Sequence, residues 1–247
     1  KKMKKFLDHI LLLFGFEKKF FDKENLKNTF VGHPLLDTME KDINVEINDF
    51  VEKKNIVSLF PGSRDSEIKI IFPVLINFIR KMNLKDNSYH YIFHSTQKFK
   101  EMIKSKLLAE KLSNVEVVSD DKIKSKVLKK SIFAIVKSGT VSLDVCKNNI
   151  PSMIIYKMNF FNYHLAKFLL KIKYVNMINI INNKEIIPEL LQNECNPNEI
   201  YKTFYYFMKK PNLIKEQMSV VKNTIDDLKS STSASDQASK VILSYLT

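Results

Sequence analysis

Arginine, cysteine and long apolar stretches are scarce in this chain of 247 residues. Only two of its 40 basic residues are arginines, Arg64 and Arg80, so lysine carries the formal net charge of +13. Sequence-specific nucleic-acid readers depend on arginine forks, and the composition therefore argues against that class. We expect the lysines to form mainly a solvated face, with an anionic membrane surface as the alternative partner.

The chain has few residues that could bind a metal or form a disulfide. Its two cysteines, Cys146 and Cys195, form no CxxC pair, which favours reduced thiols over a disulfide framework. His90 and His94 stand four residues apart, but the apolar run around them predicts a strand, which would separate them by about 13 Å. We therefore predict no metal site.

The basic and apolar start of the chain, residues 1–16, superficially resembles a secretion signal. Asp8 and His9 interrupt it, and no small-residue cleavage site follows. No segment approaches the roughly 18 apolar residues that a membrane span needs. The pattern predicts a cytoplasmic protein, or one that lies on a membrane without crossing it. Because residue 1 begins inside this pattern, we interpret the chain as part of a longer protein.

Short runs rich in Ile, Val, Phe and Tyr alternate with longer amphipathic stretches up to Tyr156. The runs predict strands at 55–60, 88–94, 115–118, 131–137 and 152–156. The amphipathic stretches predict helices at 64–82, 96–112, 122–130 and 140–148. This order indicates an α/β fold, a Rossmann-like parallel sheet with helices on both faces. Pro73 should kink or split the first of these helices.

A mainly helical region is predicted after Tyr156. Its helices are expected at 159–171, 198–209 and 212–229, followed by a serine-rich linker at 230–235 and a last helix at 236–246. Within 159–174, apolar residues at helical spacing are flanked by lysines. We favour a core helix with a lysine rim. The alternative is a membrane-surface helix, whose lipid contacts would be Phe161, Leu165, Phe168, Lys167 and Lys171.

Two polar turns follow predicted strands. In the first, Gly62 permits close backbone approach, Ser63 can cap a helix or bond a phosphate oxygen, and Arg64 can bind a diphosphate through two N–H groups. A plain capped turn is the alternative, but the rarity of arginine here favours function. In the second turn, Ser138, Gly139 and Thr140 repeat the arrangement.

Other polar residues near these turns are candidates on weaker grounds. Asp144, expected in the first turn of the helix after Thr140, could accept hydrogen bonds from ribose hydroxyls, or merely interact with the helix dipole. Asn179 and the segment 188–192 are polar groups set in apolar sequence. The pattern alone makes Pro188 the first residue of a helix, Glu189 a residue near its N-terminus and Gln192 a surface residue.

An ordered set of these segments resembles the lipid-A-disaccharide synthase family over nearly the whole chain. The matching segments are Phe16-Glu17-Lys18, residues 30–37 (which include Gly32-His33-Pro34), residues 59–64 with Glu67-Ile68, Ser138-Gly139-Thr140, Pro151 with Tyr156, Tyr174-Val175, Asn179-Ile180, and residues 188–192. The resemblance implies the C-terminal, nucleotide-sugar-binding half of an inverting, metal-independent GT-B glycosyltransferase that uses no cofactor. Such an enzyme transfers 2,3-diacylglucosamine from its UDP derivative to 2,3-diacylglucosamine 1-phosphate at the inner face of the inner membrane.

The resemblance also implies a site and a domain plan. Arg64 would stabilise the leaving UDP, which would be surrounded by Gly62, Ser63, Ser138, Gly139, Thr140, Asn179, Glu189 and Gln192, with Asp144 on the ribose. Residues 1–34 would be a remnant of the acceptor-side domain, 35–229 the nucleotide-sugar domain, and 230–247 a linker and a helix that packs back. The catalytic base would lie in the missing domain, so we expect this chain alone to be inactive. Both a monomer and a homodimer are compatible with the resemblance.

Two departures and two alternatives accompany this interpretation. The family usually has Glu where Asp144 stands and Pro where Gly15 stands. The chain could instead belong to another sugar-nucleotide enzyme, such as a different glycosyltransferase or a UDP-sugar epimerase. It could also be a non-enzymatic basic module for a membrane surface or nucleic acid, whose affinity would fall steeply with salt. Replacing Arg64 by Ala separates them, because only the enzymes would lose diphosphate affinity.

Overall fold

The computed structural model describes residues 3–37, 54–158, 173–229 and 232–246. It divides into two compact units. The smaller comprises the described residues of 3–37 and 222–246, and the larger comprises those of 54–221.

The smaller unit begins with six short elements. Two are 3₁₀ helices, Met3–Lys5 and Gly15–Glu17, and the others are β1 (Ile10–Leu12), α1 (Lys18–Lys23), β2 (Asn28–Phe30) and α2 (Pro34–Asp37). β1 and β2 pair in parallel, with Leu11 opposite Thr29. These strands have three residues each, too few for the period-two pattern that reveals a strand in a sequence, and the sequence analysis did not predict them.

The larger unit is built on a six-stranded parallel sheet. Its strands are β3 (Ile56–Phe60), β4 (His90–His94), β5 (Val115–Val118), β6 (Ser131–Lys137), β7 (Ser152–Tyr156) and β8 (Glu189–Leu191). The helices between them are α3 (Asp65–Asn83), α4 (Gln97–Glu110), α5 (Asp121–Lys130), α6 (Thr140–Lys147) and α7 (Met177–Asn182). The strand order is β5-β4-β3-β6-β7-β8, and each neighbouring pair is parallel.

The chain moves outward from β3 to β5 and then crosses to β6 on the other side of β3, so the strand order reverses between β3 and β6. In open α/β sheets such a switch point leaves a crevice at the carboxyl ends of the strands, where ligands bind. All five residues of β3 are buried, as expected of a strand covered on both faces. The predicted α/β fold with a Rossmann-like parallel sheet is confirmed.

Apolar side chains cover both faces of the sheet. On one face, Leu75 and Phe78 of α3 and Ile103 of α4 belong to one large core. On the other face, Val127 of α5 packs with Ile92 of β4 in a smaller cluster. The amphipathic stretches therefore bury their apolar faces against the strands, which is the physical basis of the layered fold.

Pro73 lies inside the first long helix, where the sequence predicts a kink or a split. α3 runs through this residue as one helix from Asp65 to Asn83, so the predicted split does not occur. Proline removes one backbone hydrogen bond, to the carbonyl of Lys69. Both residues lie on the exposed side of α3, where water can satisfy that carbonyl.

The segment after Pro188 also departs from its prediction. It forms the strand β8, paired in parallel with β7, and not the start of a helix. Proline is tolerated immediately before an edge strand, because the missing N–H costs no interior ladder bond. Glu189 is a buried carboxylate within a strand, a placement that depends on partners elsewhere in the chain.

Helices follow the sheet. α8 (Pro197–Lys209) places Phe204 edge-on to Phe78 and Phe133 in the core of the larger unit. α9 (Pro211–Leu228) continues the chain into the smaller unit, and α10 (Ala234–Leu243) follows. The predicted linker at 230–235 is too long, because Ser233 caps α10 and the helix begins at Ala234. The helices α8, α9 and α10 follow the sheet in the described part of the chain, and they confirm the predicted mainly helical region there.

The start of α10 is tied to α2 within the smaller unit. The carboxylate of Asp37 accepts a hydrogen bond from the backbone N–H of Ala234. Beyond the helix, the hydroxyl of Tyr245 lies 2.9 Å from His9 Nδ1. None of the helices in the described part of the chain is long and apolar enough to cross a membrane.

Candidate functional site

A cleft of about 570 Å³ lies in the larger unit, at the switch point between β3 and β6. Its lining comes from the ends of three strands, from the turns that follow them, and from the helices α3, α5 and α6. The lining residues are Phe60, Gly62, Ser63, Arg64, Glu67, His94, Ser95, Thr96, Asp121, Lys124, Ser125, Leu128, Lys137, Ser138, Gly139, Thr140, Val141 and Asp144. The two turns predicted from the sequence therefore border one cleft.

The first turn joins β3 to α3. Gly62 has φ +114°, a conformation that L side chains rarely adopt, and it directs the chain into the helix that begins at Asp65. Ser63 and Arg64 are exposed at this turn, and the Arg64 side chain keeps 79% of its accessible surface. Backbone N–H groups at the start of a long helix attract anions. The turn therefore presents donors and a cation to the cleft.

Glu67, in the first turn of α3, folds its carboxylate back over the preceding turn. One oxygen accepts the backbone N–H of Ser63 at 3.0 Å, and the other accepts Lys137 Nζ at 2.8 Å. Burial alone would raise the pKa of the Glu67 carboxyl, but the hydrogen bonds from Lys137 and Ser63 outweigh it and lower the pKa. Glu67 is therefore a carboxylate at neutral pH and links the first turn to the end of β6.

The second turn joins β6 to α6, which begins at Thr140 with Gly139 as its N-cap residue. The hydroxyl of Ser138 donates to the carbonyl of Val175 at 3.1 Å, so this turn is anchored to the segment before α7. A methyl group built on Gly139 would meet nothing within 4 Å. The space beside Gly139 is open, as close approach of a ligand to the backbone requires.

Asp144 lines the cleft, but not from the position predicted. It is the fifth residue of α6 and therefore lies in the second turn of the helix, while no acidic residue occupies the first. Its carboxylate lies 3.3 Å from the side-chain amide of Asn148, which donates to it. The interaction with the helix N-terminus proposed as its alternative role weakens beyond the first turn. The ribose contact stays a prediction.

His94, the last residue of β4, forms part of a buried hydroxyl relay behind the cleft. The hydroxyl of Ser131 donates to the carbonyl of Val127, so the hydroxyl of Ser58, 2.7 Å away, must donate to Ser131. His94 Nε2, 2.8 Å from Ser58, then donates in turn. Burial, with a smaller contribution from Lys124, lowers the pKa of His94 to about 3. The ring is therefore neutral, and Nδ1 is a bare acceptor.

Opposite charges balance along the wall of the cleft. Among its described lining residues the cations are Arg64, Lys124 and Lys137, and the carboxylates are Glu67, Asp121 and Asp144. The overall charge of +13 is therefore not concentrated here. Affinity for an anion must come from local placement of cations and backbone N–H groups.

Asn179 and Glu189 lie outside the lining of this cleft and are buried. The Glu189 carboxylate accepts the backbone N–H groups of Val175 and Asn176, both at 2.9 Å, and the Asn179 amide at 2.7 Å. These bonds hold the backbone segment to which Ser138 donates. Among the described residues, Asn179 and Glu189 are therefore connected to the second turn through the backbone at 175–176.

Gln192 follows β8 and is likewise not part of the described lining. Its side-chain oxygen accepts the backbone N–H of Met158 at 3.5 Å, and its side-chain nitrogen is buried without a partner among the described residues. The proposed lipid contacts Phe161, Leu165, Lys167, Phe168 and Lys171 lie outside the described residues. Their role stays a prediction.

No group of three or more His, Cys, Asp or Glu residues that could hold a metal ion occurs within 3–37, 54–158, 173–229 and 232–246. His90 and His94 lie at opposite ends of β4, as the strand prediction required. Cys146 and Cys195 are both buried thiols, and burial raises their pKa values to about 12 and about 11.

Glu67, Lys137 and His94 line the cleft but were not among the site residues predicted from the sequence. A signal existed for Lys137 and His94, because each ends an apolar strand at the edge where ligands bind. Glu67 matched the family as part of Glu67-Ile68, but its position alone gave only the signal of an acidic residue near a helix start, which usually indicates a cap.

Comparison with known proteins gives a consistent family. A family model described as lipid-A-disaccharide synthetase matches residues 1–242. The lipid-A-disaccharide synthase of Persephonella marina (strain DSM 14350 / EX-H1) is 30% identical over 239 residues, covering 92% of this chain and 62% of that protein. The protein of the same name from Sulfurihydrogenibium sp. (strain YO3AOP1) is 30% identical over 226 residues, covering 85% and 58%. The chain thus spans about three fifths of the length of these relatives.

Solved structures share the fold at low sequence identity. The S. aureus MnaA–UDP co-structure has a TM-score of 0.63 at 12% identity, covering 98% of this chain and 62% of that chain. The crystal structure of TarM has a TM-score of 0.56 at 14% identity, covering 97% and 43%. At such identities the likeness concerns the fold alone.

Proposed function

This chain belongs to the lipid-A-disaccharide synthetase family, and on that premise we propose that it supplies the nucleotide-sugar-binding half of a glycosyltransferase of lipid A biosynthesis. The proposed reaction transfers 2,3-diacylglucosamine from its UDP derivative to 2,3-diacylglucosamine 1-phosphate and releases UDP. The observation that carries the proposal is the cleft at the strand-order switch, which both glycine turns border.

The diphosphate of UDP would lie between the two turns. Residues at the starts of α3 and α6, and Arg64, line this cleft, and in the proposal their backbone N–H groups and the Arg64 guanidinium bind the phosphate oxygens. As the bond to the sugar breaks, negative charge develops on the β-phosphate of the leaving UDP. Donors fixed in place before the reaction stabilise that charge without reorganising. In this proposal Asp144, which lines the cleft, accepts hydrogen bonds from the ribose hydroxyls.

Asn179 and Glu189 would serve this site as positioning residues. Their hydrogen bonds hold the backbone at 175–176, and Ser138 of the second turn donates to that backbone. Gln192 lies at the carboxyl end of β8, the same edge of the sheet, and we keep it as a proposed UDP contact.

Membership of the family suggests three further features: an acceptor-side domain, a lack of turnover by this chain alone, and a place of action at the membrane. Residues 1–34 would belong to the acceptor-side domain, which would also hold the catalytic base of an inverting reaction. The 247-residue chain would then bind UDP without turning over, and turnover by the purified chain would contradict this part. The enzyme would work on the anionic inner face of the inner membrane, and co-sedimentation with vesicles rich in anionic lipid tests that placement.

Calorimetric titration of UDP, at moderate salt and without divalent metal, tests the central proposal. We expect saturable binding that weakens about tenfold or more in Arg64→Ala, the scale of a charge-assisted contact. The matched control is Arg80→Ala, because the other arginine lies near the far end of the same helix and pairs with Glu110. Equal affinities for both variants, with intact thermal transitions, would remove Arg64 from the site.

The same titration separates the non-enzymatic alternative. A basic surface module would bind polyanions with an affinity that falls steeply with salt, and it would ignore the uridine. Loss of UDP binding on replacement of one arginine among 40 basic residues would not be expected of such a module.

A further inference from the structure

An ion pair joins the two sides of the switch point. Lys137 is the last residue of β6, and its Nζ lies 2.8 Å from Oε1 of Glu67 in the first turn of α3. The side chains are only 16% and 14% exposed. The pair of Lys69 and Asp65 on the same helix is 66% and 51% exposed. The Lys137–Glu67 pair is therefore partly withdrawn from water, in the wall of the cleft.

The Glu67 carboxylate occupies the place of a bound anion. It accepts hydrogen bonds from the backbone N–H of Ser63 and from the ammonium of Lys137, and Nη1 of Arg64 lies 3.7 Å from its Oε1. Phosphate oxygens use the same kinds of donor. The position is closely packed, because a methyl group on Gly62 would come within 2.5 Å of Glu67 Oε2.

We propose that Lys137 is a further diphosphate-binding residue of this cleft, and that Glu67 is its counterion while no ligand is bound. The inference rests on the proposed function, since it takes a nucleoside diphosphate as the ligand. When the ligand binds, a diphosphate oxygen replaces the Glu67 carboxylate as the partner of Lys137 Nζ and of the Ser63 N–H. The exchange changes hydrogen bonds and no covalent bond.

Two features make Lys137 suited to this exchange. Its Nζ also lies 5.1 Å from the centre of the Tyr156 ring, so a second contact keeps the ammonium in the cleft when Glu67 withdraws. An ammonium has three donors, and it can bind a ligand as a point charge without a fixed fork geometry.

The charge balance of the wall explains why an exchange is needed. Its described cations and carboxylates are equal in number, so a lysine that stayed paired would add little attraction for a diphosphate. The Glu67 carboxylate would also repel the ligand at short range. Withdrawal of this carboxylate removes the repulsion and makes the charge of Lys137 available to the phosphates.

Titrations of UDP and of inorganic pyrophosphate test the proposal, with Glu67→Gln, Lys137→Met and the double variant. We expect Lys137→Met to weaken both ligands about tenfold or more. Glu67→Gln, which keeps an acceptor for the Ser63 N–H, should strengthen both about threefold to tenfold. This gain should be smaller in the double variant, where no Lys137–Glu67 pair has to be broken and only the repulsion by Glu67 is removed. Lys137→Arg, which keeps the charge, should retain most of the affinity.

The exposed pair on the same helix provides matched controls. Lys69→Met and Asp65→Asn remove the same charges outside the cleft, and each should change either affinity less than twofold, roughly the effect of a solvated charge. The thermal transition of every variant shows whether it is folded.

Several results would overturn the proposal. These are unchanged binding in Lys137→Met, weaker binding in Glu67→Gln, or a Glu67→Gln gain that is as large in the double variant as in the single one. The proposed function fails separately if pyrophosphate binds with the expected pattern but UDP binds no more tightly than pyrophosphate. A folded chain that binds neither anion contradicts both proposals.

Discussion

Gly62→Ala is the substitution for which the first turn of the cleft leaves least room. The new methyl carbon would lie 2.5 Å from Oε2 and 2.8 Å from Cβ of Glu67. Real side-chain contacts are not that short, so the turn or Glu67 must move. The backbone at this position also has φ +114°, which strains any residue with a side chain.

The expected loss of stability has two parts. An L residue held in a sparsely populated backbone region costs about 1–3 kcal/mol. Displacing Glu67 also breaks its hydrogen bonds to Ser63 and Lys137, and a charged hydrogen bond contributes about 1.5–3 kcal/mol. Ser63 is exposed, and water can replace part of what is lost. We therefore expect the free energy of unfolding to fall by about 2–4 kcal/mol.

Urea unfolding of Gly62→Ala measures this loss, and Gly15→Ala is the matched control. A methyl group on Gly15 would meet nothing within 4 Å. We expect the control to unfold as the unaltered chain does. A UDP titration of Gly62→Ala should also show weaker binding, because the turn that carries Ser63 and Arg64 must shift.

Equal denaturation midpoints for the two glycine variants would refute this reasoning. Such a result would mean that Glu67 does not pack over the turn in solution. A stable Gly62→Ala that still binds UDP with unchanged affinity would also remove the need for close backbone approach at this turn.

Two further predictions concern buried polar groups. Glu189→Ala leaves the N–H groups of Val175 and Asn176 and the amide of Asn179 without their acceptor. We expect it to lower the free energy of unfolding by about 3 kcal/mol or more, as measured by urea unfolding with the exposed Glu194→Ala as the control. An unchanged free energy of unfolding in Glu189→Ala would contradict these hydrogen bonds. Burial lowers the pKa of His94 to about 3 from its ordinary value of 6.5. As the pH falls from about 6.5 towards 3, the imidazole therefore takes up a proton only in the unfolded chain. The stability that neutral His94 contributes is lost across that pH range. NMR of the imidazole should show a neutral ring at pH 5, and a ring protonated there in the folded protein would contradict the buried relay.

The strands of the central sheet could be predicted because each is a nearly continuous apolar run. The predictions at 115–118, 131–137 and 152–156 coincide with β5, β6 and β7. Strands covered on both faces must be apolar along their whole length, so their pattern is strong. The alternation with amphipathic helices then indicates a parallel sheet with its ligand edge.

The strand β8 could not be predicted in the same way. It has only three residues, too few for the period-two pattern of a strand. Pro188 before it and Glu189 at its start both suggest a helix start when the sequence is taken alone. What makes the strand stable is pairing with β7 and the donors that surround the carboxylate. Those partners come from other parts of the chain.

In the candidate site, the residues with a local sequence pattern could likewise be predicted, and those that depend on distant partners could not. The turns at Gly62 and Gly139 were predicted because each follows an apolar strand and lies beside polar residues. The pair of Glu67 and Lys137 was missed because its partners lie 70 residues apart in the chain. Asp144 was predicted one helical turn too early, although it does line the cleft.

Amide NMR spectra of the chain, recorded during addition of UDP, show directly whether UDP binds between the two glycine turns. We predict that the largest saturable shifts fall on the backbone N–H groups of Gly62, Ser63, Gly139 and Thr140. This prediction would be contradicted by shifts that centre instead on the separate groove beside Lys184 and Glu216, or by a folded chain whose spectrum UDP does not change.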